Sequence, residues 1–161
     1  MPRVTIRVQA EAFDSAHETA LLLRGHEDVG GVAAFTGIVR GGGGLVALEL
    51  EHYPGMTESM MRRIAESACV RFGLAGCTVI HRVGRLAVGM PIVLVLCASA
   101  HRGGAQEATT FMMDWLKTSA PFWKREEFAD GRSAWVEARA QDEAAKARWG
   151  SLAACDGGKK N

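Results

Sequence analysis

Apolar and polar residues alternate along this chain with two different periods, and the period identifies the element. "RVTIRV" sets Val4, Ile6 and Val8 against polar neighbours, the two-residue repeat of a half-buried strand. A short helix is predicted over "DSAHETALLLR", with Asp14 or Ser15 as N-cap and Leu21 to Leu23 as its apolar body. "GGVAAFTGIVR" reads as a Gly-rich strand ending at Arg40. "LVALELEHY" reads as a strand with Leu48, Leu50 and His52 alternating against Glu49 and Glu51, and the glycines at 41 to 44 form a flexible connection. "TESMMRRIAESACVRF" places Met60, Met61, Ile64, Ala68 and Phe72 on one helical face behind Thr57 as N-cap. "CTVIHRVG" and "PIVLVLCASA" are strands, the second apolar enough to be covered on both faces and therefore central. Ala105, Ala108, Phe111, Met112, Trp115 and Leu116 mark a helix from Gly104 to about Ser119, which Pro121 stops by disfavouring helical geometry in the residue before it. "FWKREEF" and "SAWVEAR" flank the hairpin signal Asp130-Gly131, and "QDEAAKARW" is a last short helix.

The resulting order, βαββαββαββα, pairs adjacent strands instead of alternating strictly with helices. It predicts an α+β domain with a mixed, mainly antiparallel sheet and about three to four helices. The 161 residues suffice for one core, so the expectation is a single domain over 1–150 and a flexible C-terminal tail over 151–161.

Charge narrows the partners. Nineteen basic and eighteen acidic residues leave a net charge of +1, which gives no global attraction to nucleic acid or to an anionic membrane, so any anion site must be local. The longest apolar run, Pro91 to Ala98, is too short to cross a bilayer, and "MPRVTIRVQA" lacks the pattern of a secretory signal, so a cytosolic location is expected. Cys69, Cys77, Cys97 and Cys155 form no CxxC pair and have no histidine at zinc-ligand spacing, so no metal and no cofactor are expected. Cys97, inside an apolar strand, reads as a small hydrophobe.

Two stretches could carry chemistry. In "CASAHRGGAQEA" a buried strand ends, His101 and Arg102 follow, and two glycines open a helix. Free backbone N–H groups at a helix start attract an anion, the glycines admit it closely, and Arg102 adds a planar fork. A plain helix start with solvated side chains stays open as the alternative. Arg40 before four glycines repeats the theme at another strand end but lacks the order of a nucleotide-binding P-loop. The second stretch, "KTSAPFWKRE", holds Lys117 and Lys124 seven positions apart across a proline break. A helix from 104 to 119 is about 24 Å long, so Lys117 starts far from Arg102. From spacing alone Lys117 is equally a cation favoured at a helix C-terminus, and Lys124 an exposed strand residue.

The stretches "FTGIVR", "LELEHYPGMTESMM", "VIHRVGRLAVGMPIVLVLCASAHR", "FMMDWLKTSAPFWKRE" and "WVEAR" together resemble the catalytic, larger subunit of molybdopterin synthase, the MoaE family, in order from about Gly30 to Trp149. The resemblance implies an alpha/beta-hammerhead-like fold and a sulfurtransferase activity in molybdenum cofactor biosynthesis. Cyclic pyranopterin monophosphate, precursor Z, becomes molybdopterin by gaining two sulfurs. They come from the C-terminal Gly-Gly thiocarboxylate of a small ubiquitin-like sulfur-carrier subunit. It also implies a heterotetramer built on a homodimer of large subunits.

Carried over residue by residue, the resemblance implies Lys117 as leading catalytic residue and Lys124 as its electrostatic support. It implies Arg40, His101 and Arg102 as the grip on the substrate phosphate, with Ile38, Val39, Arg125 and Glu126 as further substrate-binding positions. Phe35 and Met113 would be pocket walls, and Arg139 would reach a neighbouring subunit's pocket. Three departures stand out: Ile38 replaces a familiar basic residue, the Gly41 to Gly44 loop is short, and Gly103-Gly104 replaces serines. Two other readings remain: a cysteine-persulfide sulfurtransferase, and a non-catalytic scaffold that binds a phosphate metabolite. Gly157-Gly158 does not make this chain the sulfur carrier, because residues follow it.

Overall fold

The computed structural model describes residues 1–137 and 140–152. Among them are β1 (Arg3–Gln9), α1 (Ser15–Leu23), β2 (Gly31–Ile38), β3 (Leu45–His52), α2 (Met56–Phe72), β4 (Leu74–Arg82), β5 (Gly84–Ala87), β6 (Pro91–Ser99), α3 (Arg102–Ser119), β7 (Phe122–Phe128), β8 (Ser133–Trp135) and α4 (Ala140–Ala147). The class is α+β as expected, but the strands divide between two four-stranded sheets, ordered β1-β4-β6-β2 and β5-β3-β7-β8. β1 runs parallel to β4, and every other pairing is antiparallel.

The added strand is β5. "CTVIHRVG" was expected to continue to Gly84; instead β4 stops at Arg82, and Gly84, at φ 87°, turns the chain into β5 in the other sheet. Four residues, "GRLA", are too few to show a period of two. β6 is internal as predicted, with Ile92 to Ser99 all buried.

α2 and α3 pack on one face of the first sheet, enclosing Met61, Ile64, Ala68, Val79, Val95, Phe111 and Met112. α1 covers the other face through Leu22 against Ile80, Leu94 and Leu96. The second sheet buries Leu50 and Leu86 against Val39 and Ile92, and so joins the first sheet at its Pro91 end. Leu152 is buried in the main core, so packing continues past residue 150. The GGGG connection is a defined turn: the Leu45 N–H donates to the Gly42 carbonyl, and Gly42, Gly43 and Gly44 all have positive φ, a conformation that favours glycine.

Candidate functional site

α3 sets the distances. It begins beside Ser99 and Gly31, where the Gly30 N–H donates to the Ser99 carbonyl, and returns along β6 to the Val93 end. There Phe122, just past the Pro121 break, stacks on His81, the partner of Val93 in the sheet.

At the N-terminal end the helix starts two residues before the predicted Gly104. His101 is an N-cap in extended geometry, Arg102 is the first helical residue, and no side chain caps the helix. His101, Arg102 and Gly103 are exposed. The two glycines differ in cause. A Cβ on Gly103 would meet nothing within 4 Å, whereas a Cβ on Gly104 would stand 2.9 Å from the Phe72 carbonyl oxygen and 2.9 Å from Ser99 Oγ. Gly104 is therefore required by close packing of α3, not by a ligand.

At the C-terminal end Lys117 lies in the last turn of α3 with an exposed side chain, its Nζ 3.7 Å from Asp142 Oδ1 of α4. Met113 is one turn earlier on the same face, partly buried against the main core. Pro121 is held by Thr57, whose buried Oγ1 donates to the Pro121 carbonyl at 2.9 Å and accepts from the Tyr53 N–H at 3.0 Å. Thr57 was expected as the α2 N-cap. The helix in fact starts at Met56, where Glu58 accepts from the Gly55 N–H, and Thr57 instead ties α2 to the proline corner.

β7 then pairs with β3 in the register His52↔Phe122, Leu50↔Lys124 and Leu48↔Glu126. Side chains two apart share a face, so Phe122, Lys124 and Glu126 lie with Leu50 on the face turned toward the first sheet. Arg125 takes the opposite face, opposite Glu49 and Trp135, and lines a shallow groove with Arg85 and Glu127. It does not share a face with Lys124.

Arg40 follows β2, whose Ile38 pairs with Pro91, so it stands at the same end of the first sheet as the lysine corner. Phe35 is exposed on β2, opposite Val95 and on the α3 side. Ile38 is exposed at the strand end. Val39 is not available as a binding side chain: it is 1% exposed in the core, its N–H donates to the Met90 carbonyl, and its carbonyl accepts from the Gly89 N–H. Arg139 lies outside the described residues. His101 and Arg102 sit at the opposite end of β6, and nine strand residues span roughly 26 Å. One chain therefore places Arg40 at the same end of the first sheet as the lysine corner, and His101 and Arg102 at the other.

Spacing did not point to His81. It is 7% exposed on the face that carries Cys77 and Val79, with Nδ1 2.8 Å from the Arg82 carbonyl oxygen. Burial, followed by the charges of Lys124 and His52, pushes its pKa down to about 4. Its signal was a lone polar residue on the apolar side of a strand. Among the described residues the thiols offer no comparable site. Cys97 is fully buried and pushed up to about 12, chiefly by burial, and among the described residues no three His, Cys, Asp or Glu side chains could hold a metal ion.

Comparison with known proteins gives this arrangement its family. The family model described as MoaE protein matches residues 8–119. The chain belongs to the MoaE family. The molybdopterin synthase catalytic subunit of Rhizobium meliloti is 52% identical over 148 residues, covering 91% of this chain and 96% of that protein. Its counterpart from Pseudomonas aeruginosa is 48% identical over 149 residues, covering 91% and 99%. Among solved structures, molybdopterin cofactor biosynthesis protein E from Burkholderia multivorans superposes with a TM-score of 0.80 at 46% identity, covering 92% of this chain and 98% of that one. Molybdopterin synthase from Staphylococcus aureus superposes at 0.72 with 28% identity, covering 84% and 96%. The MoaE-family match stops at Ser119, so the proline corner and Lys124 lie beyond it.

Proposed function

We infer that this chain is the catalytic subunit of molybdopterin synthase. It converts precursor Z to molybdopterin with sulfur from the thiocarboxylated C-terminus of a small ubiquitin-like carrier subunit. The observation that carries the reading is the α3–β7 corner: in a MoaE-family chain, Lys117 closes α3, Pro121 turns the chain, and Lys124 enters β7 at the end of the sheet that also holds Arg40.

Two cations around one corner favour an anionic tail and an anionic substrate. Lys117, the more exposed, meets the thiocarboxylate and exchanges protons as the thiocarboxylate sulfur attacks the pterin side chain and the cyclic phosphate opens; water then cleaves the resulting thioester at its C(O)–S bond, leaving the sulfur on the pterin and a carboxylate on the carrier. Lys124, half-buried, stabilises the charge that develops and the carboxylate that the carrier leaves with. Glu126 shares the Lys124 face and can orient it or accept from a substrate N–H. Phe35 and Met113 form apolar walls, and Arg40 supplies a fork for phosphate.

His101 and Arg102 join this site from a second copy of the chain. The roughly 26 Å length of β6 separates them from Arg40 within one chain, and their exposed turn is free to meet a neighbour. A homodimer at the centre of a heterotetramer supplies that neighbour.

The decisive assay mixes purified protein, thiocarboxylated small subunit and precursor Z and measures molybdopterin. Lys117→Ala is expected to lower the rate at least about 100-fold, while Cys97→Ala stays near wild type. Loss with Cys97→Ala and retention with Lys117→Ala would establish persulfide chemistry instead.

A further inference from the structure

This inference rests on the proposed function and concerns what holds Lys124. The His81 ring lies flat on Phe122, with centroids 3.8 Å apart and planes at 19°. Its Nδ1 is 2.8 Å from a carbonyl oxygen, and a carbonyl only accepts, so Nδ1 carries the hydrogen. An imidazole that is neutral and protonated at Nδ1 has a lone pair at Nε2 and can only accept there. Phe122, on which the ring rests, shares its strand face with Lys124 two residues on.

We propose that His81 is a positioning residue for Lys124: locked as the Nδ1–H tautomer and clamped by Phe122, it presents Nε2 as an acceptor that fixes where the Lys124 ammonium stands. The other charged and titratable groups around the ring fit this role. His52 of β3 lies opposite Phe122, and its Nε2 is 3.4 Å from Glu58 of α2, so a carboxylate holds it in place. Arg82, next in β4, faces away and donates to the Ala10 and Pro91 carbonyls. Lys117 reaches the same end from α3. The ring's low affinity for a proton keeps Nε2 an acceptor at neutral pH.

The test compares His81→Asn, whose amide N–H stands near Nδ1 but leaves nothing at Nε2, with His81→Gln, whose amide reaches the Nε2 position. The titration of Lys124 is followed by NMR of the lysine side chains in the full-length protein, assigned with Lys124→Arg. Removing an acceptor from an ammonium disfavours the charged form, so His81→Asn is expected to move the Lys124 midpoint down by roughly one pH unit, and His81→Gln to restore at least about half of that. In the synthase assay His81→Asn is expected to lose about tenfold in kcat with KM for precursor Z within about twofold.

Should His81→Asn not fold, His81→Phe takes its place, because it keeps the stack and lacks both nitrogens. A Lys124 midpoint that is the same in wild type and in the folded variants overturns the proposal. The titration does not depend on turnover. A responsive titration in a protein that makes no molybdopterin supports the positioning role and counts against the proposed function alone.

Discussion

The two ends of α3 carry the same kinds of side chain in opposite settings. At the N-terminal end His101 and Arg102 stand exposed on an uncapped helix start, with little structure around them beyond the close packing of Gly104. At the C-terminal end the chain is pinned by Thr57 beneath Pro121, by the Phe122–His81 stack, and by the β3–β7 register that places Lys124. An exposed turn can bind an anion but cannot hold a reacting group within a few tenths of an ångström. A pinned corner can. Under the proposed function, the difference would separate a grip on phosphate, tolerant of position, from proton and sulfur transfer, which is not.

Complementation between two variants tests whether the two ends serve one site across copies. Arg40→Ala and Arg102→Ala are each expected to abolish most activity alone. Mixed and reassembled in equal amounts, random pairing gives one intact site in half of the dimers, so about a quarter of wild-type activity returns. No recovery on mixing would place both arginines in a site within one chain, against the strand length that separates them.

The two ends also differed in how legible they were. The turn at His101 and Arg102 is readable because its parts are contiguous: strand end, His101, Arg102 and glycines follow one another. Even so, the sequence could not show that Gly104 is a packing glycine, since Phe72 and Ser99 approach it through the fold. Lys117 and Lys124 were visible as a pair, and the proline break gave a physical reason for the return. Strand alternation alone puts Glu126, and not Arg125, on the Lys124 face; what no local pattern carries is which way that face turns, since that follows from the pairing of β7 with β3. Val39, beside Arg40 in sequence, has its side chain in a core that Leu50 and Ile92 complete from other strands, a burial that its sequence neighbours do not show. β5 was lost because four residues carry too short a pattern.

The pinned end should be the acid-labile one. His81 titrates at about 4 in the fold against 6.5 in the free side chain. As pH falls the unfolded chain binds that proton first, so the stabilisation is fully present above about 6.5 and is lost as pH falls through the window down to about 4. The difference between the two values corresponds to about 3 kcal/mol. Urea unfolding at about pH 7 and about pH 4.5 should show most of that loss in wild type and a markedly smaller one in His81→Phe. Equal losses in both would mean that carboxylates elsewhere dominate acid unfolding.

The smallest expected effect tests the corner's anchor. Thr57→Val keeps the shape of a fully buried side chain while removing the hydroxyl, which leaves the Tyr53 N–H and the Pro121 carbonyl without their partner. A cost of about 2 kcal/mol is expected in denaturant unfolding, since stranding buried polar groups costs more than the hydrogen bonds themselves contribute. Thr57→Ser keeps both bonds and loses only a methyl, for about 0.8 kcal/mol. If α2 fixes Pro121 through this hydroxyl, Thr57→Val should also disturb the Lys124 titration, which Thr57→Ser leaves in place. Similar stability and similar titration for the two variants would show that packing alone sets the corner.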